Sequence, residues 1–369
     1  MEMGIKMMMD KASQFFVILG ILGILLMPSE VHANRRISWA ENGCWTGAFV
    51  SWKAADDGLE YQVTTSDIKA TEAKLGKHLA FISDYRAFLN NSQAVNFPVE
   101  FFNRVKANDS VLFLTWEPRD WQDPNRNVLT EILAGKMDDY IDRFAKAIQA
   151  TRSTILLRFG QEMNLQNFPW NGLHNGAGET TGFGDPKLAD GPERYAAAYR
   201  YIYARFERLG VRNLYWVWTP VRHSVPNETW NAFQNYYPGT RFVDLIALDE
   251  YNWGNTQSWS HWTPFWELYN DWYLALLRMY PDKYFMIGEF SSAEGETSEH
   301  KPEWIRQAFN LLRARFKEIK AFIWFDVDNR ENTVNGMAEK SDWRMDSSEE
   351  SLKAIQESMK NPYYKEKVF

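Results

Sequence analysis

Two glutamates each close a short apolar run. Glu162 follows Leu157-Arg158-Phe159-Gly160-Gln161, and Glu289 follows Phe285-Met286-Ile287-Gly288. A carboxylate at the end of a buried strand is costly to hold there without a partner or a purpose. Two of them, on strands far apart in sequence, suggest carboxylates facing each other across a barrel mouth. That is the arrangement needed to cleave a glycosidic bond.

Other chemistries find less support. The chain has 6 histidines, scattered and with no His-x-x-x-His pair, so a metal centre is not expected. At most, a structural cation near Asp326, Asp328 and Asn329 competes with simple capping of a strand end. No strained Gly-x-Ser-x-Gly turn is present for a serine nucleophile. The segment from Asn171 to Asp190 is rich in glycine but lacks a suitably spaced lysine for a phosphate cradle. It is expected to be a mobile loop bordering the cleft.

The elements that must position the glutamates can be read from the pattern. Strand-like runs occur at Trp45–Trp52, Leu79–Asp84, Val111–Trp116, Thr154–Phe159, Asn213–Trp218, Val243–Asp249, Tyr284–Glu289 and Ala321–Asp326. Helical stretches lie near Ser66–Leu75, Pro98–Ala107, Lys136–Ala150, Pro192–Leu209, Glu228–Tyr236, Pro264–Tyr280, Pro302–Ile319 and Ser348–Met359. The faces Tyr195, Ala198, Tyr199, Ile202, Phe206 and Ile305, Ala308, Phe309, Leu312, Phe316 repeat at helical spacing. Apolar strands alternating with amphipathic helices indicate a parallel sheet covered on its outer face. Eight such pairs predict an α/β fold of the (β/α)8 TIM barrel type in a single catalytic domain, residues 34–369. An open doubly wound sheet would usually carry a Gly-rich phosphate turn after its first strand, and Phe49-Val50-Ser51-Trp52 has none.

In such a barrel the site lies at the C-terminal strand ends. Those ends carry Asp84, Glu117, Glu162, Asp249, Glu250, Glu289 and Asp326, interleaved with Trp52, Trp116, Trp218 and Trp324. An acidic, aromatic mouth suits a neutral polyhydroxylated substrate. The formal net charge of −7 argues against nucleic acid as a partner. The 17 tryptophans exceed what packing requires, and Trp116, Trp170, Trp253, Trp259, Trp262 and Trp324 are candidate platforms for sugar rings, with Trp324 as the floor of the site and packing between loop and helix as the alternative for Trp259 and Trp262. Arg158 would point into the same barrel region, either to keep a carboxylate charged or to prop up the carboxylate ring.

The first 33 residues read as an export signal. Lys6 and Lys11 precede the apolar run Phe15 to Met27, and Val31-His32-Ala33 supplies small residues for cleavage. The run falls short of the roughly 18–20 residues a membrane span needs. A secreted or periplasmic protein without stable membrane insertion is expected. Its one cysteine, Cys44, excludes an internal disulfide and is expected to be a buried thiol.

The local motifs go further. Gln161-Glu162-Met163-Asn164 and Ile287-Gly288-Glu289 resemble the acid/base and nucleophile motifs of glycoside hydrolase family 26. Trp116-Glu117-Pro118, Leu133 to Ile141, Tyr237-Pro238-Gly239, Asp249 to Gly254, Trp324-Phe325 and Asp342-Trp343-Arg344 resemble further blocks of that family in order. The resemblance implies a retaining double displacement without cofactor, with Glu162 as acid/base and Glu289 as nucleophile. It also implies that Tyr251 hydrogen-bonds the nucleophile. Gln161 and Asn164, beside the acid/base, are expected to help bind substrate. The substrate implied is a β-1,4-mannan. A mixed-linkage or 1,4-linked β-glucan is the enzymatic alternative, and a catalytically weak protein that binds or processes exopolysaccharide is another. Two positions depart from the family pattern: Gln161 stands where His is usual, and Asn167 where Trp is usual. Both bear on which sugar is recognised.

Overall fold

The computed structural model describes residues 37–39, 41–50, 63–331, 333–334, 337–338 and 340–369. The export signal (residues 1–33) and Trp52 lie outside them. Among the described residues, eight parallel strands close into a barrel. They are β1 (Gly47–Phe49), β2 (Phe81–Asn90), β3 (Val111–Asp120), β4 (Ile155–Phe159), β5 (Leu214–Trp218), β6 (Leu245–Asn252), β7 (Tyr284–Ser292) and β8 (Ile319–Phe325). Each pairs with the next, and β8 closes the ring onto β1 through Trp324↔Ala48 and Phe325↔Phe49. This is the (β/α)8 barrel that the alternation of elements predicts.

The helices between strands are α1 (Thr65–Leu75), α2 (Val99–Ala107), α3 (Val128–Leu133), α4 (Asp138–Thr151), α5 (Asp190–Arg208), α6 (Phe265–Met279) and α7 (His300–Ala314), with α8 (Glu349–Met359) following β8. Their starts explain themselves. Thr64 caps α1 through a reciprocal bond with Asp67, and Ser348 accepts from Ser351 N–H at the start of α8. One expected helix is absent. Glu228–Tyr236 forms two 3₁₀ turns, Thr229–Asn231 and Phe233–Tyr236, instead of an α-helix. Asn231 and Asn235 side chains donate to the carbonyls of Pro226, Thr229 and Trp230, and so compete with helical bonding.

Side chains alternate across the strands. Ile155, Leu157 and Phe159 face the helices, whereas Leu156 joins Phe113, Val217, Ala247, Met286 and Ile323 inside the barrel. The same alternation corrects four expectations. Trp116, Trp218 and Trp324 are fully buried on the outer face, where Trp116 stacks on Phe88 and Phe144. The Trp324 ring packs on Phe290 and Phe309, and its Nε1 donates to the Trp343 carbonyl. Trp116 and Trp324 therefore offer no face to a sugar; they are the interface between strands and helices. Asp84 also faces outward, ion-paired with Arg86 on its own strand. Part of the aromatic load closes the N-terminal end of the barrel, where Trp39 packs on Trp45, Phe81, Tyr215 and Tyr284. Cys44 is buried, and burial pushes its thiol up, out of the reactive range.

One irregularity aims the candidate nucleophile. Along β7, Met286 points inward and Ile287 outward, so strict alternation would turn Gly288 inward and Glu289 toward the helices. The β6–β7 register jumps from Leu248↔Ile287 to Asp249↔Glu289, leaving Gly288 as an extra residue. This bulge lets Glu289 face the barrel while Phe290 turns out against Phe265, Trp304 and Phe309. Glycine is required there because a Cβ at Gly288 would lie 2.5 Å from Asp249 Oδ1 and 3.0 Å from Arg158 Nη1. Gly288→Ala should lower stability by about 1–3 kcal/mol in urea unfolding, the usual range for overpacking a tight interior. An unchanged midpoint with unchanged activity would show that the bulge does not set the geometry.

Candidate active site

Glu289 sits within β7, not at its end, and is buried at the barrel mouth. Both of its oxygens are engaged. Arg158 Nη2 donates to Oε1 at 2.5 Å, and the Tyr251 hydroxyl donates to Oε2 at 2.6 Å. Arg158 comes from β4, fully buried, and spends its other donors on Thr115 Oγ1 at 2.8 Å, Asp249 Oδ2 at 2.7 Å and the Tyr85 hydroxyl at 3.1 Å. Its guanidinium also lies over the Phe113 ring, 4.8 Å from the centroid. Burial alone would pull the Arg158 pKa down, but Asp249 and Glu289 override it and hold the group charged. Burial, reinforced by the charge of Glu289, raises the Tyr251 hydroxyl well above its ordinary value. It therefore stays a proton donor to the carboxylate.

Glu162 reaches the same mouth by a different route. Strand β4 stops at Phe159, and Gly160 and Glu162 both take left-handed backbone, with φ of 52° each. A glutamate is rarely held so, and the surrounding bonds over-determine it. Gly160 N–H donates to the Trp116 carbonyl, Glu162 N–H to Thr219 O at 2.7 Å, and Trp170 Nε1 to Gln161 O at 2.7 Å. The turn lifts Glu162, half-buried, toward the cleft. Desolvation first, then the charge of Glu289, push its pKa up to about 8, with Arg158 opposing. Glu250, next to Asp249, is pushed up to about 7 by burial, tempered by Arg222. Burial also raises Asp249, against the pull of Arg158.

The remaining residues separate into those beside the carboxylates and those that brace the loops. Gln161 is buried and donates to Glu117 Oε1 at 2.9 Å, fixing both next to Glu162. Asn164 is fully buried and serves the backbone: it donates to Val221 O and Ser224 Oγ and accepts from Val221 N–H. It ties the loop after β5 to the turn after β4, so it has no group left for substrate. Trp170 is likewise buried, stacked 4.6 Å beneath the half-buried Phe168. The Gly-rich stretch is pinned, not loose: Asn175 donates to Pro169 O and Asn171 O, and Asp190 accepts from Gly182 N–H. At the suspected cation site, Asp326 pairs with Lys74 and accepts from Met345 N–H, while Asp328 pairs with Arg330. Missed in the sequence was the aromatic wall of Phe49, Tyr85, Phe325 and Trp343 around Tyr251. The spacing of Tyr85 from Phe81, two turns of strand alternation on, was the available signal.

Residues 122–281 match the model described as Glycosyl hydrolase family 26. Endoglucanase H of Acetivibrio thermocellus is 31% identical over 346 residues, which are 94% of this chain and 33% of that protein. Over these residues the chain is similar to glycosyl hydrolase family 26. A second relative, mannan endo-1,4-beta-mannosidase A and B of Caldalkalibacillus mannanilyticus, is 30% identical over 37% of this chain and 22% of its own length. The chain thus spans a third or less of the curated relatives it matches. Among solved structures, the GH26 beta-mannanase of Bacteroides ovatus superposes with a TM-score of 0.59 at 16% identity, over 88% of this chain and 90% of that one. The family 26 match holds Glu162 and Tyr251 and ends just before β7, so Glu289 is placed by the barrel geometry instead.

A half-buried carboxyl with a raised pKa leaves a mark on stability. Between the ordinary carboxylate range and about pH 8, folded Glu162 keeps a proton that the unfolded chain releases. Stability must therefore fall as pH rises through that window, and Glu250 adds the same sign up to about pH 7. Glu162→Gln cannot ionise, so its melting temperature relative to wild type should rise steadily from pH 5 to about pH 8 and level off above it. A constant difference across that range would contradict the raised pKa.

Proposed function

We propose that this barrel is a retaining endo-β-glycanase that hydrolyses β-1,4-mannan-type polysaccharide by double displacement. One observation carries the reading. Two carboxyl groups share a mouth, one gripped by a guanidinium and a tyrosine hydroxyl, the other pushed toward the protonated form. A carboxylate held by donors beside a carboxyl that keeps its proton is what the reaction demands. Glu289 attacks the anomeric carbon as the glycosidic bond breaks, and Glu162 delivers its proton to the departing oxygen. Glu162, now a carboxylate, takes a proton from water as that water attacks the glycosyl ester and frees Glu289. Arg158 and Tyr251 hold the oxygens of Glu289 in place and keep the side chain aimed. No cofactor is needed for either step.

A glucan substrate is the second reading, favoured by the match to Endoglucanase H over nearly the whole chain and by Gln161 beside the acid/base. Gln161 and Glu117 present amide and carboxylate groups, and no imidazole, to a sugar hydroxyl. We further propose that residues 1–33 are an export signal and that residues 34–369 act as one catalytic domain outside the cytoplasm.

Release of reducing ends from mannan, glucomannan, mixed-linkage β-glucan and carboxymethylcellulose decides between the substrates. Activity on the mannans with internal cleavage supports the first reading, and activity only on the glucans the second. Binding without release would leave a polysaccharide-binding barrel and overturn both. Products should first appear as the β-anomer in proton NMR; an α-anomer would rule out retention. Glu289→Ala should abolish turnover with the fold intact by circular dichroism. The alkaline limb of the kcat/KM profile should fall near pH 8 as Glu162 loses its proton, and a limb unmoved in Glu162→Asp would assign it elsewhere.

A further inference from the structure

The loop after β6 holds a tryptophan that the catalytic step does not use. Trp259 is 63% exposed, whereas Trp116, Trp170, Trp218 and Trp324 are fully buried. Single exposed apolar residues are ordinary. Trp259 differs in what lies behind it. Its ring meets Trp253 at 5.4 Å, Trp253 meets Trp343 at 4.9 Å, and Trp343 meets Tyr251 at 5.0 Å. Tyr251 is the donor to Glu289. A continuous aromatic lane therefore runs from open solvent to the nucleophile.

The loop that carries Trp259 is built to stay in one shape. Buried Asn252 accepts from both Gly254 N–H and Thr263 N–H, tying the two ends together. Inside it, Thr256 Oγ1 donates to Trp253 O at 2.8 Å and Ser260 Oγ donates to Gly254 O at 2.7 Å. Asn255 bonds Glu296 across to the loop after β7. Trp262 in the same loop does the packing, against His300 and over Gly254. Trp259 is left presenting a flat apolar face on a braced support, which lowers the ordering cost of a ligand that stacks on it.

We propose that Trp259, with Trp253 behind it, is a remote sugar-binding platform for a β-linked glycan chain whose reacting sugar lies at Glu289. The inference rests on the glycanase reading and adds to it the direction in which the chain leaves the cleft. The apolar face of a pyranose several sugars from the scissile bond would lie on the Trp259 indole. Only a long substrate reaches it.

Wild type, Trp259→Ala and Trp259→Phe should be compared on glucomannan, mixed-linkage β-glucan and 4-nitrophenyl β-disaccharides. Trp259→Ala should raise KM on the polymer that wild type cleaves by about tenfold, with kcat kept, the size of one lost aromatic contact. The aryl disaccharides should be cleaved as by wild type, and Trp259→Phe should restore most of the polymer KM. Equal KM on polymer, or equal losses on polymer and aryl disaccharide, would overturn the platform. Should wild type release no reducing ends, the glycanase reading fails, and migration in gels containing glucomannan tests the platform by itself. Retarded wild type with unretarded Trp259→Ala supports it; no retardation, or equal retardation, overturns it.

Discussion

Everything in the mouth depends on one buried cation. Arg158 has no contact with solvent, and its guanidinium is shared by Asp249 and Glu289. Without it, Asp249 would lose its ion pair and Glu289 would be left with the neutral hydroxyl of Tyr251. Removing one partner of such a group typically costs about 3–5 kcal/mol, because the charge left behind stays buried. The same cation separates the two glutamates chemically. Its positive charge lies within bonding distance of Glu289, whereas Glu162 is dominated by desolvation and by the negative charge of its partner. One arginine thus treats two residues of the same type differently: it grips Glu289 by a direct bond and opposes the rise at Glu162 through its charge alone.

The barrel supplies what the arginine needs. Inward positions at the N-terminal end are filled by apolar side chains and closed by Trp39 and Trp45, which keep water from the guanidinium from below. Above that layer, Thr115, Tyr85 and Asp249 take up the donors that Glu289 does not. Gly288 leaves the space in which the Arg158–Asp249 pair sits, and its bulge turns Glu289 inward. The left-handed turn at Gly160 and Glu162 does the corresponding task on β4. Both glutamates are therefore aimed by departures from regular strand geometry, consistent with strain gathering where function does.

Much of this was legible from residue patterns, and what was not has physical causes. The strands and helices announced themselves because a parallel barrel buries its strands on both faces and its helices on one. Strand lengths were harder: β2 and β3 run to Asn90 and Asp120, well past the expected ends at Asp84 and Trp116. Facing was hardest of all. A tryptophan near a strand end can point into the mouth or onto a helix, and Trp116 and Trp324 do the latter. Parity along each strand separates the two, but the bulge at Gly288 breaks parity where it matters most. Asn164 reads as a site residue by adjacency, yet its bonds all serve the β5 loop. The Glu228–Tyr236 region misled because its asparagines bond the backbone, a competition that apolar spacing does not register.

The central claim is that Glu289 bears the sugar between two chemical steps while Glu162 moves the proton. Trapping with a 2-deoxy-2-fluoro β-glycosyl fluoride, followed by peptide mass spectrometry, tests it most directly. The account predicts a single covalent adduct on the peptide carrying Glu289, absent in Glu289→Ala. An adduct on Glu162, Glu117 or Asp249, or hydrolysis of the fluoride with inversion and no adduct, would contradict it.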